Sequence, residues 1–139
     1  MSIAYSGPRR FREDAPGAFQ EFWKLWGQGR YFECHEALEG LWRNEPGRQR
    51  VFYNGLINCA VALYQHQRGN AEGAVRQLER ARIKLDGFRP AHDGVEIDRL
   101  IMEIEATVAS SLAQLNDAQR ARLAALREIV TKRIERDLV

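Results

Sequence analysis

The segment of residues 48–68 is the part of the sequence that most limits how the chain can fold. Drawn as an α-helix at about 100° per residue, it carries apolar side chains around much of its circumference rather than along one stripe. A helix of this kind must be covered on several sides. Its apolar residues are Phe52, Tyr53, Leu56, Cys59, Ala60, Leu63 and Tyr64. The segment therefore predicts a central helix that is surrounded by other helices.

Glycine and proline divide the rest of the chain into further helices with short connections. The predicted helices cover residues 14–27, 31–43, 48–68, 70–86 and 95–115, and a last one begins at 116–117. We expect Asp14 to cap the first helix and Asn70 to cap the fourth. No stretch alternates as a strand does, so no sheet is predicted. The prediction is an all-α, compact bundle of five to six helices in antiparallel hairpins, with a tetratricopeptide-like middle.

A chain of 139 residues has the length of one domain. We expect a single helical domain over residues 1–139, with an N-terminal arm at 1–13, a core bundle at 14–115 and a C-terminal helix extension at 116–139. The last helix carries an apolar stripe of Leu123, Leu126, Val130 and Ile134. That stripe needs a cover, for which the same chain is preferred and a homodimer is left open.

Composition narrows the class of protein. No apolar run approaches the ~20 residues that span a bilayer, and the first ten residues lack the apolar stretch of a secretion signal. We therefore expect a cytoplasmic protein that does not use a membrane. The net charge is only +2, and Arg9, Arg10 and Arg12 form the one dense basic cluster, which argues against nucleic acid as a partner. Cys34 and Cys59 lie in helical segments and are predicted to be reduced core residues.

The most informative motif is His35-Glu36-x-x-Glu39-x-x-Trp42, in the second predicted helix. His35 lies at the edge of the apolar stripe of that helix, and Glu39 lies about 40° further round. A carboxylate that points partly inward is costly unless it has a partner.

The third helix offers partners for this carboxylate. Its polar residues gather in one arc that includes Arg50 and Asn54. If the two helices are antiparallel, these side chains come level with Glu39. The sequence thus predicts a polar binding cluster between the second and third helices. Its members are His35, Glu36, Glu39, Trp42, Arg50 and Asn54.

Three interpretations of this cluster stay open. In the first, it is a buried network that joins two helices and whose polar groups are all hydrogen-bonded. In the second, it binds a small molecule, peptide or protein beside Trp42, Trp26 and Tyr53. In the third, it is catalytic. In the catalytic interpretation, Glu36 or Glu39 is a general base, His35 an acid or an orienting group, and Arg50 an electrostatic stabiliser. We prefer a non-enzymatic binding module, with a hydrolase-type or metal-dependent enzyme as the alternative.

A metal site or another cofactor is not expected. His35-Glu36-x-x-Glu39 lacks the second histidine of a zinc-protease helix. His66 would lie roughly 13 Å along the third helix from the level of His35, and His92 falls in a predicted loop.

The motifs resemble domain-of-unknown-function family 309, a group of small all-helical proteins. His35, Glu36, Glu39 and Trp42 match its first motif, and Arg50 matches its arginine. The stretch from Asn54 to Ile57 matches a second motif, with Asn54 where glutamine is usual; His66 and Gly69-Asn70 follow, and residues 94–98 resemble a last motif with one residue inserted. The match covers about residues 17–112. It implies an all-helical fold and marks the first motif as the shared feature, but it implies no activity.

Overall fold

Six α-helices form the computed structural model, which describes residues 3–138. They are α1 (Gly17–Gly27), α2 (Tyr31–Asn44), α3 (Gly47–Gln67), α4 (Ala71–Leu85), α5 (Ile97–Ala113) and α6 (Asp117–Leu138). A short 3-10 turn, Asp86–Phe88, follows α4. The predicted all-α bundle is confirmed, whereas its tetratricopeptide-like detail stays a prediction.

α3 is the central helix, as its apolar circumference predicts. It packs against α2, α4, α5 and α6. Phe52, Leu56 and Leu63 of α3 are 0%, 0% and 2% exposed. The closest crossing is with α4, where a Cβ added to Gly55 would lie 2.7 Å from Leu85 Cγ. Because Gly55 has no side chain, α3 and α4 approach closely here, and the neighbouring residues of the two helices come near each other.

The segment before α1 contributes to the same core. Tyr5 is 3% exposed, and its carbonyl oxygen accepts a hydrogen bond from Trp26 Nε1 at 2.9 Å. The Tyr5 hydroxyl accepts another from the backbone N–H of Glu96 at 2.8 Å. Part of the predicted N-terminal arm is therefore fixed against α1 and the start of α5.

Two local predictions are wrong and one is confirmed. Strands β1 (Ala91–His92) and β2 (Val95–Glu96) pair antiparallel, although no sheet was predicted. A two-residue turn joins them, in which Asp93 and Gly94 both have positive φ, the usual geometry for so short a hairpin. α1 begins after Pro16 without a side-chain cap, so Asp14 does not cap it. Asn70 does cap α4, since its Oδ1 accepts from Gly73 N at 3.0 Å.

α6 packs against α4 and α3 of its own chain. Leu126 and Val130, from the predicted stripe, are 2% and 0% exposed. Near the start of α6, the Arg122 guanidinium pairs with the Glu72 carboxylate of α4 at 3.0 Å. Near the end of α6, Asp137 pairs with Arg50 at 3.8 Å, so this end lies beside the N-terminal half of α3. None of the helices in residues 3–138 has the length and the apolar content of a membrane span.

Candidate functional site

The first part of the predicted cluster lies along the outer side of α2. Residues four apart on a helix share a face, so Glu39 meets His35 on one side and Arg43 on the other. His35 Nε2 is 3.6 Å from Glu39 Oε2, and Arg43 Nη2 donates to Glu39 Oε1 at 2.6 Å. We call His35, Glu39 and Arg43 the α2 ladder.

The α2 ladder is only partly buried and is paired largely within its own helix. The side chains of His35 and Glu39 are 29% and 31% exposed, and Glu36 is exposed. His35 Nδ1 is buried and meets no hydrogen-bond partner within the described residues. Among residues 3–138, Glu39 pairs with His35 and Arg43 rather than with Arg50. Within the same residues Arg50 pairs with Asp137, so the predicted pairing of Arg50 with Glu39 or Glu36 is wrong.

Trp42 and Arg50 do come together, at the end of α2 and the start of α3. The Arg50 guanidinium lies 4.8 Å from the centre of the Trp42 ring. Its Nη1 donates a long hydrogen bond to the Arg43 carbonyl oxygen at 3.4 Å, and its Nε lies 3.8 Å from Asp137 Oδ1 of α6. Arg50 thus contacts α6 and the backbone at the end of α2, and over residues 3–138 it does not pair with the side chains of the α2 ladder.

Asn54 joins a different group of side chains, between α3 and α4. Lys84 Nζ donates to Asn54 Oδ1 and, at 2.9 Å, to Asn58 Oδ1. Asn58 Nδ2 donates in turn to Gln77 Oε1 at 2.9 Å. The close crossing at Gly55 brings Asn54 and Lys84, the chain neighbours of the two contacting residues, within reach. Asn54 is therefore a partner of a lysine that the sequence analysis did not single out.

These two groups line one open cavity of about 460 Å³ between α3, α4 and the end of α6. We call it the basic cavity. Its lining residues are Trp42, Arg50, Val51, Asn54, Asn58, Gln77, Arg80, Lys84, Arg133, Ile134, Arg136 and Asp137. The lining thus has five cationic side chains and one carboxylate, in a chain whose net charge is only +2. Positive charge is concentrated here far beyond the average of the molecule.

Lys84 is the most perturbed of these cations. Burial, together with the positive charges of Arg80 and Arg133 and against the opposing effect of Asp137, lowers the pKa of Lys84 from its usual 10.5 to about 8. Burial likewise lowers the pKa of Arg80, and the positive charges of Arg133 and Arg76 add to this effect. The cavity therefore brings cations close together at an electrostatic cost.

Several donors that belong to cavity residues are buried without a partner. Within the described part of the chain, Trp42 Nε1, Arg50 Nε and Arg80 Nε have no acceptor. The great majority of buried polar groups in proteins are hydrogen-bonded. A molecule with anionic oxygens could accept hydrogen bonds from the guanidinium groups that line the cavity, and charge-assisted hydrogen bonds of this kind are the strong ones.

Sequence reasoning found three of the cavity residues, Trp42, Arg50 and Asn54, and missed the others. A signal was present in α4, where Gln77, Arg80 and Lys84 follow one another at spacings of three and four residues. Such spacing places them on one helical face, beside the buried stripe of Ala74, Leu78, Ala81 and Leu85. The cations of α6 carried no comparable signal, because that helix has charges on most of its circumference.

The other histidines take part elsewhere. His66 Nδ1 lies 3.4 Å from Ser111 Oγ, and His92 Nε2 lies 3.0 Å from Gln49 Oε1. Across residues 3–138, no three His, Cys, Asp or Glu side chains are grouped so that they could hold a metal ion.

Fold and cavity together define a small all-helical protein with a cation-lined polar cavity. Residues 19–77 match the model of the family described as Domain of unknown function (DUF309), so the predicted resemblance is confirmed over that segment. The chain is also similar to the Uncharacterized protein YpuF of Bacillus subtilis (strain 168), with 42% identity over 74 residues. That alignment covers 51% of this chain and 42% of the relative, so the chain spans less than half of the relative's length. No solved structure gives a significant match.

Proposed function

We propose that this chain is a non-enzymatic binding module whose basic cavity receives a small anionic molecule. The observation that carries the proposal is the imbalance of the lining, in which five cations face a single carboxylate. Among residues 3–138, three buried N–H groups of the lining residues have no acceptor. A volume of about 460 Å³ also falls within the roughly 300–1,000 Å³ typical of small-molecule sites.

The side chains favour an anion with paired oxygens on a short carbon skeleton. Arginine guanidinium groups bind the two oxygens of a carboxylate or a phosphate in parallel. The Arg50 guanidinium lies over the Trp42 ring, and this contact favours one position of the group before any ligand arrives. Val51 and Ile134 add apolar surface to the same lining, which suits a carbon skeleton beside the charged group.

The position of Asp137 also supports an anionic ligand in the basic cavity. Of the described residues in the lining it is the one acid, and its carboxylate lies 3.8 Å from Arg50 Nε. At that distance it pairs with Arg50 only loosely. An anionic ligand would replace this carboxylate at Arg50 with a better-placed acceptor.

A titration of the full chain with inorganic phosphate and with succinate tests the proposal. Isothermal calorimetry at low ionic strength should show saturable binding of at least one of them, weakened by added salt because charges in an open cavity are screened. Replacement of Arg80 or Arg50 by methionine removes an orphaned donor together with its charge. We expect either change to lower the affinity about tenfold, or about 1.4 kcal/mol.

The matched control is Arg43→Met. Arg43 directly follows the cavity residue Trp42 in the chain, but its side chain pairs with Glu39 of the α2 ladder. Its loss removes the same charge and should leave the affinity nearly unchanged. The proposal fails if neither anion binds saturably, or if Arg43→Met weakens binding as much as Arg80→Met does.

A further inference from the structure

Lys84 differs from the other cations of the basic cavity because it is a potential nucleophile as well as a charge. Its Nζ donates to two amide oxygens, those of Asn54 and Asn58. Within residues 3–138, it has no carboxylate within 4.0 Å to stabilise its charged form. The other two lysines of the chain, Lys24 and Lys132, are exposed.

The hydrogen-bond partners of Lys84 match the neutral amine. An ammonium has three N–H donors, whereas the neutral amine has two and a lone pair. Two amide oxygens accept two N–H groups and leave one remaining position on the nitrogen. The orientation of Asn58 is itself fixed, because its Nδ2 donates to Gln77 Oε1. In the neutral form, the lone pair therefore occupies the position that faces neither asparagine.

The charges around Lys84 favour loss of its proton. Arg80 from α4 and Arg133 from α6 line the same cavity and both disfavour the charged form of Lys84, while Asp137 favours it with a smaller effect. Arg50 and Arg136 add further positive charge to the lining. Burial and neighbouring cations are the two means by which lysine nucleophiles are activated in proteins. The same cations attract a ligand that carries a negative group.

We propose that the Lys84 amine forms a reversible imine with the carbonyl carbon of a small anionic aldehyde or ketone that is bound in the basic cavity. This inference rests on the proposed function, since the guanidinium groups bind the ligand's carboxylate or phosphate while Lys84 reacts with its carbonyl group.

The step needs no oxidant or reductant. The nitrogen lone pair of Lys84 attacks the carbonyl carbon, and the C=O π bond becomes a C–O single bond. A proton passes from nitrogen to oxygen to give a carbinolamine, which then loses water as the C=N bond forms. One aldehyde or ketone and one amine thus give one imine and one water, and hydrolysis restores both.

Borohydride trapping on the full chain tests this inference. The protein is incubated at pH 8 with pyridoxal 5′-phosphate or with glyoxylate, reduced, digested and mapped by mass spectrometry. We expect Lys84 to carry about tenfold or more label than Lys24 or Lys132, because its pKa of about 8 leaves much more of it neutral. Inorganic phosphate should protect Lys84, and propionaldehyde, which has no negative group, should label it much less.

Lys84→Arg is the matched variant, since it keeps a positive charge and has no primary amine. It should lose the selective label and still bind phosphate by calorimetry. Equal labelling of the three lysines, or labelling of Lys84 that propionaldehyde matches, overturns the inference. If phosphate binds the wild type while Lys84 stays unlabelled, the imine inference fails and the proposed function stands. If Lys84 is labelled selectively but no anion binds without a carbonyl group, the proposed function fails instead.

Discussion

The α2 ladder and the basic cavity are both polar regions near the junction of α2 and α3, yet they are built differently. In the α2 ladder, one carboxylate lies between a histidine and an arginine of the same helix. In the basic cavity, five cations from α3, α4 and α6 share one carboxylate. The first region is nearly balanced in charge within one helix turn on either side of Glu39, whereas the second has excess positive charge and buried donors without acceptors.

This difference separates what stabilises the fold from what serves a ligand. Exposed ion pairs four residues apart stabilise a helix by only about 0.3–0.5 kcal/mol, and they form wherever the sequence places opposite charges on one face. Cations that are brought together from three helices lower the stability of the free protein. Residues with strongly perturbed pKa values are concentrated at functional sites. The electrostatic cost of the basic cavity therefore makes it a better candidate for the functional site than the α2 ladder.

The largest difference in stability is expected between alanine replacements of Gly55, beside the basic cavity, and of Gly40, in the helix of the α2 ladder. A Cβ on Gly55 would lie 2.7 Å from the side chain of Leu85, which is fully buried. We expect Gly55→Ala to lower the free energy of unfolding by about 2–3 kcal/mol, because overpacking pushes α3 and α4 apart. Urea unfolding followed by circular dichroism measures the change, and phosphate affinity should fall with it as Asn54 and Lys84 separate.

Gly40→Ala is the control in α2. A Cβ there meets nothing within 4 Å, and glycine inside a helix costs about 0.5–1 kcal/mol relative to alanine. This variant should therefore be more stable than the wild type. Equal effects of the two replacements would mean that the close approach of α3 and α4 does not determine the cavity.

Lys84 gives the second contrast, and it depends on pH. Its pKa is lowered from 10.5 to about 8 in the folded state, so the unfolded chain binds more protons between these values. Stability due to Lys84 therefore rises as pH increases from about 8 to 10.5. At pH 7 the buried charge costs about 2 kcal/mol, after allowance for its partial exposure. Lys84→Met removes that cost, so its stability relative to the wild type should be highest near pH 7 and should decline towards pH 10.5.

The two buried cysteines also make the free energy of unfolding depend on pH. The prediction therefore concerns the difference in that free energy between Lys84→Met and the wild type. Burial raises the pKa of Cys59, and raises that of Cys34 from 9.0 to about 12. Their thiols ionise first in the unfolded chain, so both lower stability above about pH 9. Since the wild type and Lys84→Met share these cysteines, their effect cancels in the difference. A difference that stays constant from pH 7 to pH 10.5 would contradict a lowered pKa at Lys84.

The sequence was most informative where one helix determines the outcome. The central position of α3 follows from its own apolar circumference, and the cap at Asn70 follows from a single side chain. The cavity depends on how closely α3 crosses α4 and on where α6 ends. Neither quantity is encoded in a local pattern, which is why Lys84 and Arg80 were missed.

The predicted cluster shows the same limit within one motif. Trp42, Arg50 and Asn54 do line the basic cavity, because residues on facing helices at the same level come close. His35 and Glu39 belong to the same motif but point along α2, since Arg43 lies nearer to Glu39 than any residue of α3 that could pair with it. A helical wheel gives the direction of a side chain, but it does not give the partner that reaches it first. The functional role of these residues stays a prediction.

A smaller effect is expected at the boundary between the two regions. The Arg50 guanidinium lies on the face of Trp42, 4.8 Å from the ring centre, and pairs of this kind contribute about 0.5–1 kcal/mol at partly exposed sites. A double-mutant cycle of Trp42→Leu and Arg50→Met should give a coupling energy of that size in urea unfolding. The Arg68 and Tyr64 pair, at 5.4 Å, should couple more weakly. A coupling near zero at Trp42 would mean that the ring does not fix Arg50.

The smallest effect is expected in the α2 ladder itself, from Glu39→Gln. The replacement keeps the shape and removes the charge that pairs with Arg43 and His35, and the Arg43 side chain is 66% exposed. Because solvent and salt screen such a pair, the free energy of unfolding should fall by no more than about 0.5 kcal/mol, and the difference should vanish near 1 M salt. Phosphate affinity should stay unchanged. A large loss of phosphate affinity in Glu39→Gln would mean that the α2 ladder and the basic cavity form one site. Ion pairs that only stabilise α2 should not change the affinity for a ligand that is bound between α3, α4 and α6.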